Sequence, residues 1–264
     1  MTPTLRIGAL ISGGGTNLQA VIDACEAGQT GGQVVFVGSD NPQAKGLQRA
    51  ARHGIPSFVV DYGAIIRRHR QARESFVLPK DFDRDEMRAK TRLFPPGTDA
   101  DKIDAFLETR AAAEAELLAA MQPIGFDLLI LAGFMRNLTP YFIDRVNTDP
   151  TQPRIMNIHP ALLPAFPGTD GYGDTYRYGC KLGGCTVHFI DYGEDSGPII
   201  GQRAFEILPG DSLDDIKSKG LKEEWILYPA CIKHFARGGL RVVEQTHSLP
   251  GGKTLRRKVV AISS

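Results

Sequence analysis

The chain has 264 residues, 42% apolar and 23% charged, with a formal net charge of +1. That length suits one large domain or two small ones around a substantial core. The near-zero charge excludes a global field for nucleic acid or an anionic membrane, so any anion site must be local.

In chain order, "LRIGALIS" reads as an apolar strand ending in glycines, and "NLQAVIDACEAG" as a helix with Leu18, Val21, Ile22 and Cys25 on one face and Gly28 as its stop. "GQVVFVGSD" predicts a second strand, "KGLQRAARHG" a helix ending at Gly54, and "IPSFVVD" a third strand. The rhythm breaks at Tyr62. From there to about Arg92 the charges are mixed and dense, which predicts solvated helix faces. After the turn "LFPPGTD", residues 100 to 121 form a strong helix whose Ile103, Phe106, Leu107, Leu117 and Leu118 are available to pack. "FDLLILAGF" has the near-continuous apolar look of a central parallel strand. A short helix "PYFIDRV", the strand "PRIMNIHP", two more strands in "GGCTVHFID" and "GPIIGQRAFEI", and a long helix stopped at Gly238 and Gly239 complete the pattern. The expected fold is α/β: a doubly wound, mostly parallel sheet with helices on both faces. We expect a single domain over residues 1 to 245, a charged helical insertion at about 62 to 118, and a C-terminal tail over 246 to 264 that is a turn plus an edge strand or a loose end.

Cys25, Cys180, Cys185 and Cys231 form no C-x-x-C pair and have no histidine at metal-like spacing, which points to free thiols in a reducing cytoplasm and to no metal. The N-terminus lacks a leader pattern and no apolar run approaches a membrane span, so the expectation is a cytoplasmic protein without a membrane partner.

Three stretches carry chemistry. "ISGGGTNLQ" joins the first strand to the first helix, where the N–H groups of Gly14, Gly15, Thr16 and Asn17 would face an anion. A dinucleotide fingerprint fits Gly13 and Gly15, with Asp40 as its acid, but needs glycine where Leu18 stands; there is no G-K-[ST], so a P-loop is excluded. A single-phosphate site and a tight turn without ligand remain open. In "NIHP", Asn157 and His159 are two apart on an extended segment and so share one side, at a strand end where α/β sheets bind ligands. An amide and an imidazole there suit oxyanion stabilisation and proton transfer. "HFIDYGEDSGPII" adds Asp191, Glu194 and Asp195, of which one could orient or relay for His159. No Ser-His-Asp or Cys-His nucleophile pattern is present, so transfer without a covalent intermediate fits better.

These motifs, with "LAGFMRNL", "FPG" and "GCTVHF", occur in the order and approximate spacing of folate-dependent formyltransferases, which the chain resembles over roughly residues 5 to 60 and 125 to 240. The resemblance implies that Asn157, His159 (protonated) and Asp195 are catalytic and that Gly13, Gly14, Gly15, Thr16 and Asn17 hold a substrate phosphate. It implies that Glu224 binds substrate, and that Met135, Arg136, Asn137 and Leu138 face Ile190 and Asp191 across a folate pocket. It further implies 10-formyltetrahydrofolate as co-substrate without a metal, and glycinamide ribonucleotide as acceptor in purine synthesis. Partners are then small molecules, with no nucleic acid and with a homodimer left open.

The chain departs from the family in "TDGYGDTYRYGCK", which its glycines mark as an irregular lid, in Ala165, and in the long charged region after Tyr62. The alternatives are hydrolysis of formyltetrahydrofolate, formylation of another phosphorylated amine, or non-catalytic folate or nucleotide binding. The hydrolases share the trio but usually add an N-terminal regulatory domain, which we expect to be absent because the first strand begins near residue 5. A pure binder has no need of the trio.

Overall fold

The computed structural model describes residues 4–263; the first three residues of the expected domain and the last of the expected tail lie outside it. The apolar runs form β1 (Leu5–Ile11), β2 (Gly32–Ser39), β3 (Ser57–Val59), β4 (Leu128–Leu131), β5 (Ile155–His159), β6 (Leu182–Phe189) and β7 (Ile199–Glu206). They make one sheet in the order β3-β2-β1-β4-β5-β6-β7. Pairings among β1 to β5 are parallel, and β6 and β7 join antiparallel. The fold class is therefore the expected one.

The helices are α1 (Thr16–Glu26), α2 (Gly46–Arg52), α3 (Tyr62–Gln71), α4 (Arg84–Lys90), α5 (Ala100–Met121), α6 (Pro140–Val146), α7 (Gly171–Arg177) and α8 (Leu213–Ala236). Strand alternation sorts the core into two layers. Ile7, Ala9, Ile11, Leu128 and Ile130 pack with α1 and α8 on one face. Leu10, Leu129 and Leu131 pack with α3, α5 and α6 on the other. The Tyr228 hydroxyl of α8 reaches the Leu131 and Met156 carbonyls at 3.1 and 2.9 Å, which pins α8 against β4 and β5.

Three expectations change. First, "TDGYGDTYRYGCK" contains the helix α7 rather than an irregular lid. The two glycines within that helix serve close approach, a Cβ on Gly171 lying 2.6 Å from the Pro160 carbonyl oxygen, while Gly179 after it takes left-handed backbone, φ 75°. Arg177 ties the helix by donating to Asp170 and Asp174 at 2.8 and 2.6 Å. Second, the charges of residues 62 to 92 are partly turned inward. His69, Arg73 and Arg84 converge on Glu108 of α5, and Arg88 meets Asp104 at 2.6 Å. An acid on the inner face of α5 must be met by donors, and the charged segment supplies them. Third, β8 (Leu240–Ser248) and β9 (Thr254–Ile262) pair as an antiparallel hairpin, so much of residues 246 to 264 is ordered strand. Its turn holds Gly251 and Gly252 in left-handed backbone, φ 78° and 75°.

All four cysteines are free. Among the described residues no helix is long and apolar enough to cross a membrane, and no group of three or more metal-capable side chains forms.

Candidate active site

The chain runs from β1 out to β2 and β3 on one side and returns to β4 and β5 on the other, so a crevice opens where the order reverses. A cavity of about 550 Å³ lies there. Asn157, His159 and Asp195 line it, together with Met135, Arg136, Asn137, Leu138, Ile190 and Asp191, and with Asn17 and Glu224. Of the five glycine-loop residues, only Asn17 belongs to the cavity wall; Gly13, Gly14 and Thr16 are exposed, and Gly15 is buried as the left-handed N-cap of α1, φ 68°.

Antiparallel pairing of β5 with β6 sets His188 opposite Asn157 and Thr186 opposite His159. His188 Nδ1 donates to the Phe189 carbonyl at 2.9 Å, which leaves the neutral Nε2 to accept from Asn157 Nδ2 at 3.2 Å. One amide hydrogen of Asn157 is thus fixed and the second is free for the cavity.

His159 is 3% exposed and held from both sides. Nε2 donates to the Phe166 carbonyl at 2.8 Å, and Nδ1 lies 3.1 Å from Asp195 Oδ2. The same Asp195 oxygen accepts from the Gly168 N–H at 2.8 Å. Asp195 Oδ1 is 3.6 Å from His188 Nε2, too long for a hydrogen bond. Phe166 and Asp195, the two residues flanking the ring, both sit in left-handed backbone, φ 55° and 48°. Such strain persists only where the surrounding fold imposes it.

Burial pushes the His159 pKa below its ordinary value, against the pull of the Asp195 carboxylate and the Phe166 carbonyl. Burial pushes Asp195 up, but the His188 ring, the His159 charge and the Gly168 N–H outweigh it and hold the carboxyl below its usual range. The two acceptors beside His159 favour an imidazolium and burial disfavours it; burial wins. Burial and the flanking acceptors thus pull the His159 proton in opposite directions, while the groups around Asp195 favour its charged form.

At the other end, Glu224 accepts from Asn17 Nδ2 and from the Tyr172 hydroxyl, both at 2.5 Å. Burial raises the Glu224 pKa, and these two hydrogen bonds counter it. Asn17 Oδ1 is buried without a partner among the described residues, an acceptor that a ligand hydroxyl would satisfy. Asp40, the acid a dinucleotide reading requires, is 3% exposed and already paired with Arg136 at 2.5 Å.

The sequence reading missed His188, Tyr172 and Arg110. Arg110 reaches the cavity from α5, its guanidinium 4.6 Å from the Phe106 ring centre and 5.3 Å from that of Tyr62. Its Nε is buried and unpartnered among the described residues. Nothing in the periodicity of α5 separates this Arg from a solvated one.

An amide, an imidazole and a carboxylate line one cavity at a sheet's switch point, an arrangement suited to acid/base group transfer. The formyl transferase family model matches residues 5–232, and the chain belongs to that family. It is 31% identical over 247 residues to the phosphoribosylglycinamide formyltransferase of Escherichia coli (strain K12), covering 94% of each chain. The crystal structure of glycinamide ribonucleotide transformylase 1 from Symbiobacterium toebii aligns with a TM-score of 0.70 and 35% identity, covering 99% of this chain and 95% of that one. A formyltetrahydrofolate deformylase from Pseudomonas putida, 21% identical with a TM-score of 0.65, covers 100% of this chain and 71% of that one and shares the fold.

Proposed function

We propose that this chain transfers the formyl group of 10-formyltetrahydrofolate to the amine of glycinamide ribonucleotide, within a single formyltransferase domain. The observation that carries the reading is one cavity that joins the Asn157–His159–Asp195 set to the Asn17–Glu224 pair. The identity to whole-length relatives of that activity supports it.

In this reading the acceptor's phosphate lies on the N–H groups of Gly13 to Asn17, and Glu224 and Asn17 Oδ1 take ribose hydroxyls. The folate lies between Met135–Leu138 and the Ile190–Asp191 segment. Arg110 and Arg136 supply positive charge at the cavity wall for the carboxylates of its glutamyl group.

The amine nitrogen attacks the formyl carbon and the carbonyl becomes an alkoxide. The free Asn157 amide hydrogen and the His159 ring N–H stabilise that oxygen, each donor contributing about 3 kcal/mol in the transition state. The Nε2–H that donates to the Phe166 carbonyl at rest donates instead to the formyl oxygen. Asp195, ionised in the free site, accepts the proton lost by the amine, directly or through water, and returns it to N10 as the C–N10 bond breaks. Tetrahydrofolate and the formylated ribonucleotide leave.

The test is the rate of tetrahydrofolate release with and without glycinamide ribonucleotide. The acceptor should raise it by orders of magnitude. A ratio near one would reject the transferase and favour hydrolysis.

A further inference from the structure

Two consecutive carbonyls of the glycine loop point at α2. Gly13 O accepts from the Gly46 N–H at 3.0 Å, and Gly14 O accepts from Arg49 Nε at 2.9 Å. In a trans peptide the carbonyl and the following N–H point in opposite directions. Holding both carbonyls on the α2 side therefore turns the N–H groups of Gly14 and Gly15 away from it, and neither has a hydrogen-bond partner among the described residues. The contact is close: a Cβ on Gly15 would lie 2.8 Å from Gly46 Cα, and one on Gly46 would lie 2.4 Å from Ile11 Cδ1. Arg49 Nη1 also donates to Gln19 Oε1 at 3.3 Å, so one guanidinium braces the loop and the first turn of α1.

We propose that Arg49 is a positioning residue of the phosphate site. By fixing the Gly14 carbonyl it presets the Gly15 N–H, alongside the Gly14 N–H set by Gly46, toward the phosphate of the acceptor. Its charge adds to the positive end of α1. The inference rests on the ribonucleotide reading above. Without the brace the Gly14–Gly15 peptide is free to rotate, and binding must then order it.

The experiment compares wild type, Arg49→Met and Arg49→Lys as full-length enzymes. In Arg49→Met the KM for glycinamide ribonucleotide should rise roughly tenfold, the equivalent of one lost positioning hydrogen bond. Its kcat and the KM for 10-formyltetrahydrofolate should change little. Arg49→Lys keeps one donor to the Gly14 carbonyl and should recover part of the loss. With the dephosphorylated acceptor, Arg49→Met and wild type should perform alike. An unchanged acceptor KM overturns the proposal, and so does an equal loss on the dephosphorylated acceptor. If wild type does not use glycinamide ribonucleotide at all, the functional reading fails, and calorimetry with inorganic phosphate still decides the loop. Wild-type binding that Arg49→Met loses supports the brace; equal binding, or none in wild type, overturns it.

Discussion

His69 and His159 are each 3% exposed and each faces a carboxylate. His69 Nε2 lies 2.7 Å from Glu108, which also takes Arg84 at 2.5 Å and Arg73 at 3.3 Å. His159 lies 3.1 Å from Asp195, whose other protein hydrogen bond is one backbone N–H from Gly168. Glu108 lies outside the cavity wall, and its donors come from α3, α4 and the turn between them, so it clamps those elements to α5. Asp195 lines the cavity, sits on left-handed backbone and keeps one oxygen without a close donor among the described residues. The same two residue types thus give a structural clamp where the carboxylate is saturated and, in the proposed reading, a reactive pair where a lone pair is left for something to arrive.

The sharpest way to break this contrast is Asp195→Asn. Asn tolerates the left-handed backbone and keeps the shape, but it cannot take a proton from the amine. Turnover should fall by roughly 10³-fold, the scale of a lost general base, while the melting temperature stays within a few degrees. The measurement is kcat/KM beside thermal unfolding. Near-normal turnover would remove Asp195 from the chemistry.

Glu108→Ala should do the opposite. Removing one partner of a buried ion-pair network typically costs about 3 kcal/mol, here a fall in melting temperature of roughly 5–10 °C, with turnover of the folded enzyme nearly kept. The network also carries a pH signature. Burial alone would raise the Glu108 pKa, but His69, Arg84 and Arg73 outweigh it and hold the carboxyl below its ordinary value. A depressed acid contributes stability that is present above the unfolded carboxylate pKa and is lost as pH falls through the folded one. Wild-type stability should therefore drop on acidification below about pH 4, the ordinary carboxylate pKa, and Glu108→Ala should lose less over that window. Parallel curves for the two proteins would show that the network does not drive acid unfolding.

The two pairs also differ in how far the sequence exposed them. Asn157 and His159 were legible because period-two geometry at a strand end puts both on one side, whatever the tertiary detail. The Gly14–Asn17 turn was legible because glycines and a helix start constrain it locally. His69 and Glu108 were not: they are 39 residues apart, and only the docking of α3 on α5 turns a charge-rich segment inward. α7 was misread for a related reason. Gly171 and Gly173 carry a helix-breaking propensity, and the need for close approach to Pro160 and Asp170 overrides it, a need that exists only in the folded chain.

The smallest expected effect falls on His188, the residue that separates the two pairs most finely. It stands opposite Asn157 across the antiparallel β5–β6 pairing, a register no single strand reveals. It fixes the Asn157 amide through Nε2 and is among the groups that lower the Asp195 pKa, from 3.6 Å away. His188→Asn leaves a polar side chain too short to keep both contacts. One orienting hydrogen bond is worth about 1 kcal/mol, so kcat should fall several-fold to tenfold with both KM values nearly unchanged. A residue that merely filled space would stop there. If His188 also helps to keep Asp195 ionised, its loss lets the carboxyl rise, and the acid limb of the kcat/KM profile moves to higher pH. His69→Asn in the clamp should leave that limb where it is. An unmoved acid limb in His188→Asn, with reduced kcat, would confine His188 to orienting Asn157; an equal movement in both variants would end the distinction between the pairs.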